Sequence, residues 1–242
     1  MTGFLPEFWD KMEKKDFNDY GTLFVVSTPI GNLEDITLRA LRVLKEVDLI
    51  ACEDTRRTHL LLKHYNIKNS LTSYHDYNKE RKTPELVRFL KSKKSLALVS
   101  DAGTPGIADP AYFLVKKAIF EKIEVVSVPG VSAFLSALVV SGLPTDRFCF
   151  ENFLPSKKTK RGKRLKGLED EKRTLIFYES SHRFIQTLDD IQKILGERDI
   201  VVARELTKKF EEIKRGKVSE IKEYFQKKKI KGEFVILMRG KG

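Results

Sequence analysis

At 242 residues and 41% hydrophobic content, the chain has room for one large domain or two modest ones, each with a real core. Its 46 basic and 34 acidic residues leave a formal charge of +12, which favours an anionic partner, nucleic acid ahead of a membrane surface. No apolar run approaches the ~18 residues that span a bilayer, no basic-then-apolar signal opens the chain, and Cys52 and Cys149 lack metal-ligand spacing. The expectation is a cytoplasmic protein with no membrane partner, no metal, and two reduced, buried thiols.

In chain order, residues 1–20 are polar and mixed in charge, an N-terminal arm whose role the sequence leaves open. Thr22-Leu23-Phe24-Val25-Val26 reads as a strand running into the loop Ser27-Thr28-Pro29-Ile30-Gly31-Asn32. Apolar residues at helical spacing (Ile36, Leu38, Leu41, Leu44) predict a helix over 35–46. Val47-Asp48-Leu49-Ile50-Ala51-Cys52 is a second strand, ending in Glu53-Asp54-Thr55-Arg56. A helix over 58–65, a short strand at 71–74 and a helix opened by Pro84 follow. Residues 95–99 form the strand that leads into Ser100-Asp101-Ala102-Gly103-Thr104-Pro105-Gly106-Ile107-Ala108-Asp109-Pro110. A helix over 111–120 then precedes the strand 125–128 and Pro129-Gly130.

This alternation is the signature of a parallel sheet wrapped in helices. The pattern changes near Leu143-Pro144-Thr145-Asp146, which places a domain boundary at about residue 142. The expected organisation is an arm (1–20), an N-terminal α/β domain (21–142) and a C-terminal α/β domain (143–242). In the latter, strands are expected at 148–153, 174–178, 199–204 and 233–239, with helices at 184–195 and 218–226.

The segment 100–110 is the most informative one. Two glycines, two prolines and two aspartates crowd into eleven residues at a strand end, where open α/β sheets bind ligands. The plain alternative is a long connection in which Asp109 caps the helix that Pro110 begins. With 27–32 and Pro129-Gly130-Val131-Ser132-Ala133, three such loops leave strand ends and should converge. None carries a dinucleotide fingerprint or a P-loop.

Five motifs in order then carry a family resemblance: Ser27-Thr28-Pro29-Ile30-Gly31-Asn32-Leu33, Glu53-Asp54-Thr55-Arg56, residues 100–110, Phe177-Tyr178-Glu179-Ser180-Ser181-His182-Arg183, and Ala203-Arg204-Glu205-Leu206-Thr207-Lys208. The set resembles the tetrapyrrole-methylase superfamily, from about Thr22 to Arg239. It is most similar to members that methylate a cytidine 2′-hydroxyl of small-subunit (16S) ribosomal RNA. The resemblance implies two α/β domains with S-adenosylmethionine (SAM) in the cleft between them, and a homodimer. By position it assigns cofactor contacts to Pro29, Ala102, Gly103, Ile107, Ser132, Ala133, Glu179 and Leu206. Val131 departs from the family, many of whose members have proline there.

A sulfonium methyl is already electrophilic, so such an enzyme must chiefly align a ribose oxygen behind it. The resemblance places an acidic residue near the methyl acceptor, so Asp54, oriented by Arg56, is expected to orient or deprotonate the hydroxyl. The plain reading is that Asp54 caps the next helix. His75 is a further candidate for proton transfer, against the plain reading of a structural hydrogen-bonded histidine beside Asp76. Glu179 and Arg183 are candidate substrate-side groups, against the plain reading of an ion pair four residues apart.

Lys157-Lys158-Thr159-Lys160-Arg161-Gly162-Lys163-Arg164-Leu165-Lys166 carries seven cations and no acid. It is expected to be a mobile arm that contacts ribosomal RNA, free or in the 30S subunit, through Lys157, Lys158, Lys160, Arg161, Lys163 and Arg164. Two other functions fit less of the chain: a small-molecule tetrapyrrole-type SAM methylase, which needs no cationic arm, and a non-catalytic RNA-binding or ribosome-assembly module.

Overall fold

A computed structural model describes residues 19–242; nearly all of the expected N-terminal arm lies outside them. The described residues divide into two compact units that are discontinuous in sequence. The first takes in the described part of 1–26 with 38–101 and 109–128; the second takes in 27–37, 102–108 and 129–242.

The first unit is built on five short strands: β1 (Leu23–Val26), β2 (Leu49–Cys52), β3 (Leu71–Ser73), β4 (Leu96–Val99) and β5 (Val125–Val128). They pair in the order β3-β2-β4-β1-β5, every pair parallel. Leu96, Ala97, Leu98 and Val99 are all buried, as a central strand covered on both faces requires. The connections are α1 (Leu38–Glu46), α2 (Thr55–His64), α3 (Lys79–Lys91) and α4 (Ala111–Phe120). Leu86, Leu90, Leu114 and Ala118 pack with Leu23, Leu96 and Leu98 into its core.

Three helices depart from expectation, one of them α2, which begins at Thr55 rather than at 58 because Asp54 caps it. The helix predicted over 35–46 is a 3-10 turn (Leu33–Asp35) followed by α1, because the Asn32 side chain accepts the Glu34 N–H and closes the turn before Ile36 becomes extended. The buried stripe of α1 is accordingly Ala40, Val43 and Leu44, while Leu38 is 87% exposed. Helix α3 begins at Lys79, not at Pro84, which lies inside it.

The second unit carries a mixed sheet ordered β6-β7-β10-β8-β9. Its strands are β6 (Phe148–Phe153), β7 (Thr174–Ser180), β8 (Asp199–Arg204), β9 (Glu212–Lys217) and β10 (Glu233–Met238). Only β6 and β7 run parallel; the other pairs are antiparallel. The charged strand Glu212-Ile213-Lys214-Arg215-Gly216-Lys217 escapes sequence reading because it lacks apolar alternation; it occupies the sheet edge, where charge blocks further strand pairing. Helices α6 (Lys158–Lys166), α7 (Phe184–Leu195) and α8 (Val218–Gln226) cover one face through Leu165, Leu188, Ile191 and Phe225. On the other face, α5 (Ala133–Val139) and Ile30 pack with Ile176, Val201, Leu206 and Val235.

Among the described residues no helix is long and apolar enough to cross a membrane. Cys52 and Cys149 are both free, but only Cys52 is buried; Cys149 is half-buried, its thiol 3.1 Å from Glu151 Oε1.

Candidate functional site

The three glycine- and proline-rich loops meet in the second unit. Thr28 and Gly103 exchange both backbone hydrogen bonds, at 2.9 and 3.0 Å. The Ser27 and Thr104 hydroxyls lie 3.0 Å apart, and Thr104 donates to the Val131 carbonyl at 3.2 Å. Two glycines make this approach possible. Gly103 sits at φ +84°, and a Cβ on Gly130 would come within 2.8 Å of the Ser27 Cβ. Ala108 also holds a positive φ, +74°, so the loop stores backbone strain where a side chain disfavours it.

The segment 205–208 closes against these loops. Thr207 Oγ1 accepts the Asn32 N–H at 3.1 Å, and Leu206 packs with Ile30. Glu205 (φ +51°) and Thr207 (φ +64°) flank Leu206 in left-handed conformations that a β-branched residue rarely adopts. Tyr178 joins from β7: its oxygen accepts the Phe134 N–H at 3.2 Å, and burial pushes its phenol above the usual range. Thr207 and Tyr178 were not singled out from sequence, although both lie inside quoted motifs.

Of the residues assigned to the cofactor, Pro29, Gly103 and Ser132 are buried, Ile107 and Ala133 are half-buried, and Ala102 is exposed. Glu179 departs from that set. Strand alternation puts it with Leu175 and Phe177 on the helix-covered face, opposite Tyr178. Its oxygens are engaged by the Ser180 N–H (2.8 Å), the Thr187 hydroxyl (2.6 Å) and Arg183 (2.7 Å). This buried carboxylate ties β7 to α7, and its pairing with Arg183 is the plain reading of the sequence.

The expected catalytic pair lies in the first unit. Asp54 caps α2 by accepting the Arg56 N–H at 2.9 Å, and its two oxygens also take a bidentate Arg56 guanidinium at 3.0 and 2.7 Å. Asp54 is therefore at once the cap of α2 and the partner of the Arg56 guanidinium. Arg56 holds the Asp54 carboxyl far below the ordinary carboxylate range, so it stays ionised and is a weak proton acceptor. Asp101 organises the neighbours: its Oδ1 accepts the Asp54 N–H at 3.0 Å, its Oδ2 lies 3.3 Å from Arg57, and its own N–H donates to Glu53 Oε1 at 3.1 Å. Burial pushes the Glu53 carboxyl upward, with Asp109, Asp101 and Asp76 adding to the shift. Sequence reading passed over Glu53, though it sits beside Asp54 at the end of an apolar strand. Asp109 caps α4 through the Ala111 N–H at 2.9 Å.

His75 does not pair with Asp76, which bonds Lys79 at 2.7 Å; its Nε2 lies 3.3 Å from the Asn78 amide. Among the described residues no group of three or more His, Cys, Asp and Glu side chains is arranged to hold a metal ion.

The basic segment is the largest correction. It is not a mobile arm but the helix α6, anchored by the fully buried Arg161. Arg161 Nε donates to Asp190 Oδ2 at 2.7 Å and Nη1 to the Ser156 carbonyl at 3.1 Å, so this guanidinium is not available to phosphate. Arg164 leans on Glu151, its Nε 2.6 Å from Oε2. Lys157, Lys158, Lys160 and Lys163 remain exposed. In another lysine-rich stretch, Lys227-Lys228-Lys229-Ile230-Lys231, Lys227 and Lys228 pair with Glu223 and Glu212 at 2.6 and 2.8 Å.

The converging loops offer backbone donors and acceptors, hydroxyls from Ser27, Thr104 and Ser132, and apolar groups from Pro29, Ile107, Ala133 and Leu206. That mixture, with no phosphate-binding fingerprint, fits a nucleoside bearing a sulfonium chain. Fold and loops together define a protein of the α/β class with ligand-binding loops at the ends of parallel strands. The chain belongs to the tetrapyrrole (corrin/porphyrin) methylase family, whose sequence profile matches residues 22–222; it is accordingly a SAM-dependent methyltransferase.

It is 51% identical over 221 residues to the ribosomal RNA small subunit methyltransferase I of Thermotoga maritima, covering 91% of this chain and 99% of that one. The proteins of the same name from Halalkalibacterium halodurans and Escherichia coli O157:H7 are 50% and 49% identical, over 93% and 95% of this chain and 78% and 82% of theirs. Two solved structures share the fold at low identity. The Thermus thermophilus uroporphyrin-III C-methyltransferase complexed with S-adenyl homocysteine has a TM-score of 0.64 at 18% identity, covering 90% of this chain and 97% of that one. A diphthine synthase has a TM-score of 0.66 at 13% identity, covering 90% of each chain.

Proposed function

We propose that the chain transfers the SAM methyl group to the ribose 2′-hydroxyl of a cytidine in small-subunit ribosomal RNA. The observation that carries this reading is 49% to 51% identity, over 91% to 95% of this chain, to the three small-subunit ribosomal RNA methyltransferases. The exposed lysines of α6 support it, since a small-molecule substrate needs no such cationic face.

Pro29, Ala102, Gly103, Ile107, Ser132, Ala133 and Leu206 hold the cofactor, which supplies an electrophilic methyl on sulfonium. Asp54, fixed by Arg56 and by Asp101, orients the ribose hydroxyl rather than deprotonating it, because its carboxyl is held too far down to be a useful base. Glu53, raised by burial, is the better matched acceptor for the hydroxyl proton. Lys157, Lys158, Lys160 and Lys163 neutralise backbone phosphates, with Arg164 beside them. The protein works in the cytoplasm as a homodimer, the latter open to sedimentation analysis.

The direct test incubates the protein with labelled SAM and small subunits from cells lacking the modification, then maps the labelled nucleotide. Label on a cytidine ribose is expected. A protein that binds SAM yet leaves ribosomal RNA unlabelled, as naked RNA and as assembled subunit, refutes the proposal.

A further inference from the structure

Strand β6 ends in an irregularity with a consequence for RNA. Its pairing with β7 is regular from Phe148↔Thr174 to Phe150↔Ile176, then shifts so that Phe153 sits opposite Tyr178. At the shift Asn152 takes φ +59°, a conformation Asn tolerates better than most residues, and its Oδ1 accepts the Phe153 N–H at 2.7 Å.

Regular alternation would put Phe153 on the side of Cys149 and Glu151. The bulge instead delivers its ring to the side of Phe134, Phe150 and Tyr178. Phe134 and Phe150 stack at 4.6 Å, Phe150 meets Tyr178 edge-on at 4.9 Å, and Phe153 reaches Tyr178 at 5.5 Å. Phe153 closes this row of rings but is itself 50% exposed.

A ring turned by a strained residue into aromatic contact, yet left open to solvent, does not serve the core alone. Its backbone is held firmly: Leu154 is buried, and its carbonyl accepts from Arg183 Nη1 at 3.0 Å. Lys157 and Lys158 follow within five positions, both exposed. The other end of the row touches the cofactor loops, since Tyr178 accepts the N–H of Phe134, the residue after Ala133.

We infer that Phe153 is a stacking platform for an unpaired base of the RNA substrate, with Lys157 and Lys158 holding the flanking phosphates. A rigid exposed aromatic ring beside cations is the arrangement by which proteins bind single-stranded RNA, and stacking accepts any base. This rests on the reading of the chain as an RNA methyltransferase and names the element that receives the base.

The test uses a fluorescein-labelled oligocytidine of about twelve nucleotides, read by anisotropy, within the 4–16 nucleotides such sites cover. Phe153→Ala is expected to weaken binding about 5- to 150-fold, the range of one lost stack, while Phe153→Tyr stays close to the unsubstituted protein and SAM affinity is unchanged in both. Trp9 is the single tryptophan, so a Trp9→Phe, Phe153→Trp variant reports from the platform alone. Its emission should be quenched by oligocytidine and not by an abasic oligomer of equal length. Equal quenching by both, or full affinity in Phe153→Ala while Lys157→Ala with Lys158→Ala binds weakly, overturns the platform and leaves the RNA reading standing. Altered sedimentation of Phe153→Ala with unchanged affinity also overturns it, in favour of a contact with a second copy. No binding of oligocytidine by the unsubstituted protein also overturns the platform, while the RNA reading stands or falls separately by the labelling of ribosomal RNA.

Discussion

Replacing Lys157, Lys158, Lys160 and Lys163 together by alanine tests most directly the proposal that these exposed lysines contact RNA. The choice follows from the structure: Arg161, inside the same run, is buried, and Arg164 is engaged by Glu151. For single-stranded RNA, the slope of log affinity against log salt steepens by about 0.7 for each phosphate neutralised. Four lost contacts should flatten it by up to about 2.8, roughly a 600-fold difference between 0.1 M and 1 M salt. The assay is RNA affinity by anisotropy at five or so salt concentrations, with SAM affinity by calorimetry as control. Unchanged SAM binding with a flattened slope is expected. An unchanged slope would refute a phosphate-binding role for α6, whatever happened to activity.

Arg161→Ala should behave quite differently. It strands Asp190 without its buried partner, costing about 3–5 kcal/mol and lowering the melting temperature by roughly 6–20 °C, whereas Arg161→Met with Asp190→Leu should recover most of the loss; differential scanning calorimetry decides. Asp54→Asn should lower kcat by about 100-fold, the cost of a misplaced acceptor, with SAM affinity intact, and turnover equal to the unsubstituted enzyme would remove its role. The acid limb of the rate profile should belong to Glu53. Its folded pKa is raised by burial, so its acceptor form is lost as pH falls through a value above the ordinary carboxylate range. That limb should survive in Asp54→Asn and vanish in Glu53→Gln, in single-turnover assays across pH. Gly103→Ala forces a Cβ at φ +84° against Ile30 Cγ2 at 3.3 Å, and should destabilise by about 1 kcal/mol while weakening SAM binding, read by thermal shift with and without SAM.

What could be read from the chain follows from the range of the forces involved. The alternation of strand and helix is local, and so are the glycines and prolines of residues 100–110; the meeting of Thr28, Gly103 and Val131 followed from the rule that loops leave one edge of a parallel sheet. Arg161 was misread because its partner Asp190 lies 29 positions away, and a charge run carries no mark of which cation turns inward. The strand β9 was missed because its charged residues answer to an edge position, which only the assembled sheet defines. Glu53 was passed over because a carboxylate's desolvation depends on groups as distant in sequence as Asp101 and Asp109. Asp54 looked ambiguous because the same residue both caps α2 and binds Arg56.

The discontinuity of the two units bears on how such proteins can be recombined. A fragment beginning at Pro129 would carry the mixed sheet but leave behind 27–37 and 102–108, two pieces that group with it. Exchanging substrate preference between relatives by joining two halves would therefore separate these loops from the unit they group with. A working chimera needs its junctions at about 26, 38, 101, 109 and 128, so that all three segments travel with the C-terminal sheet.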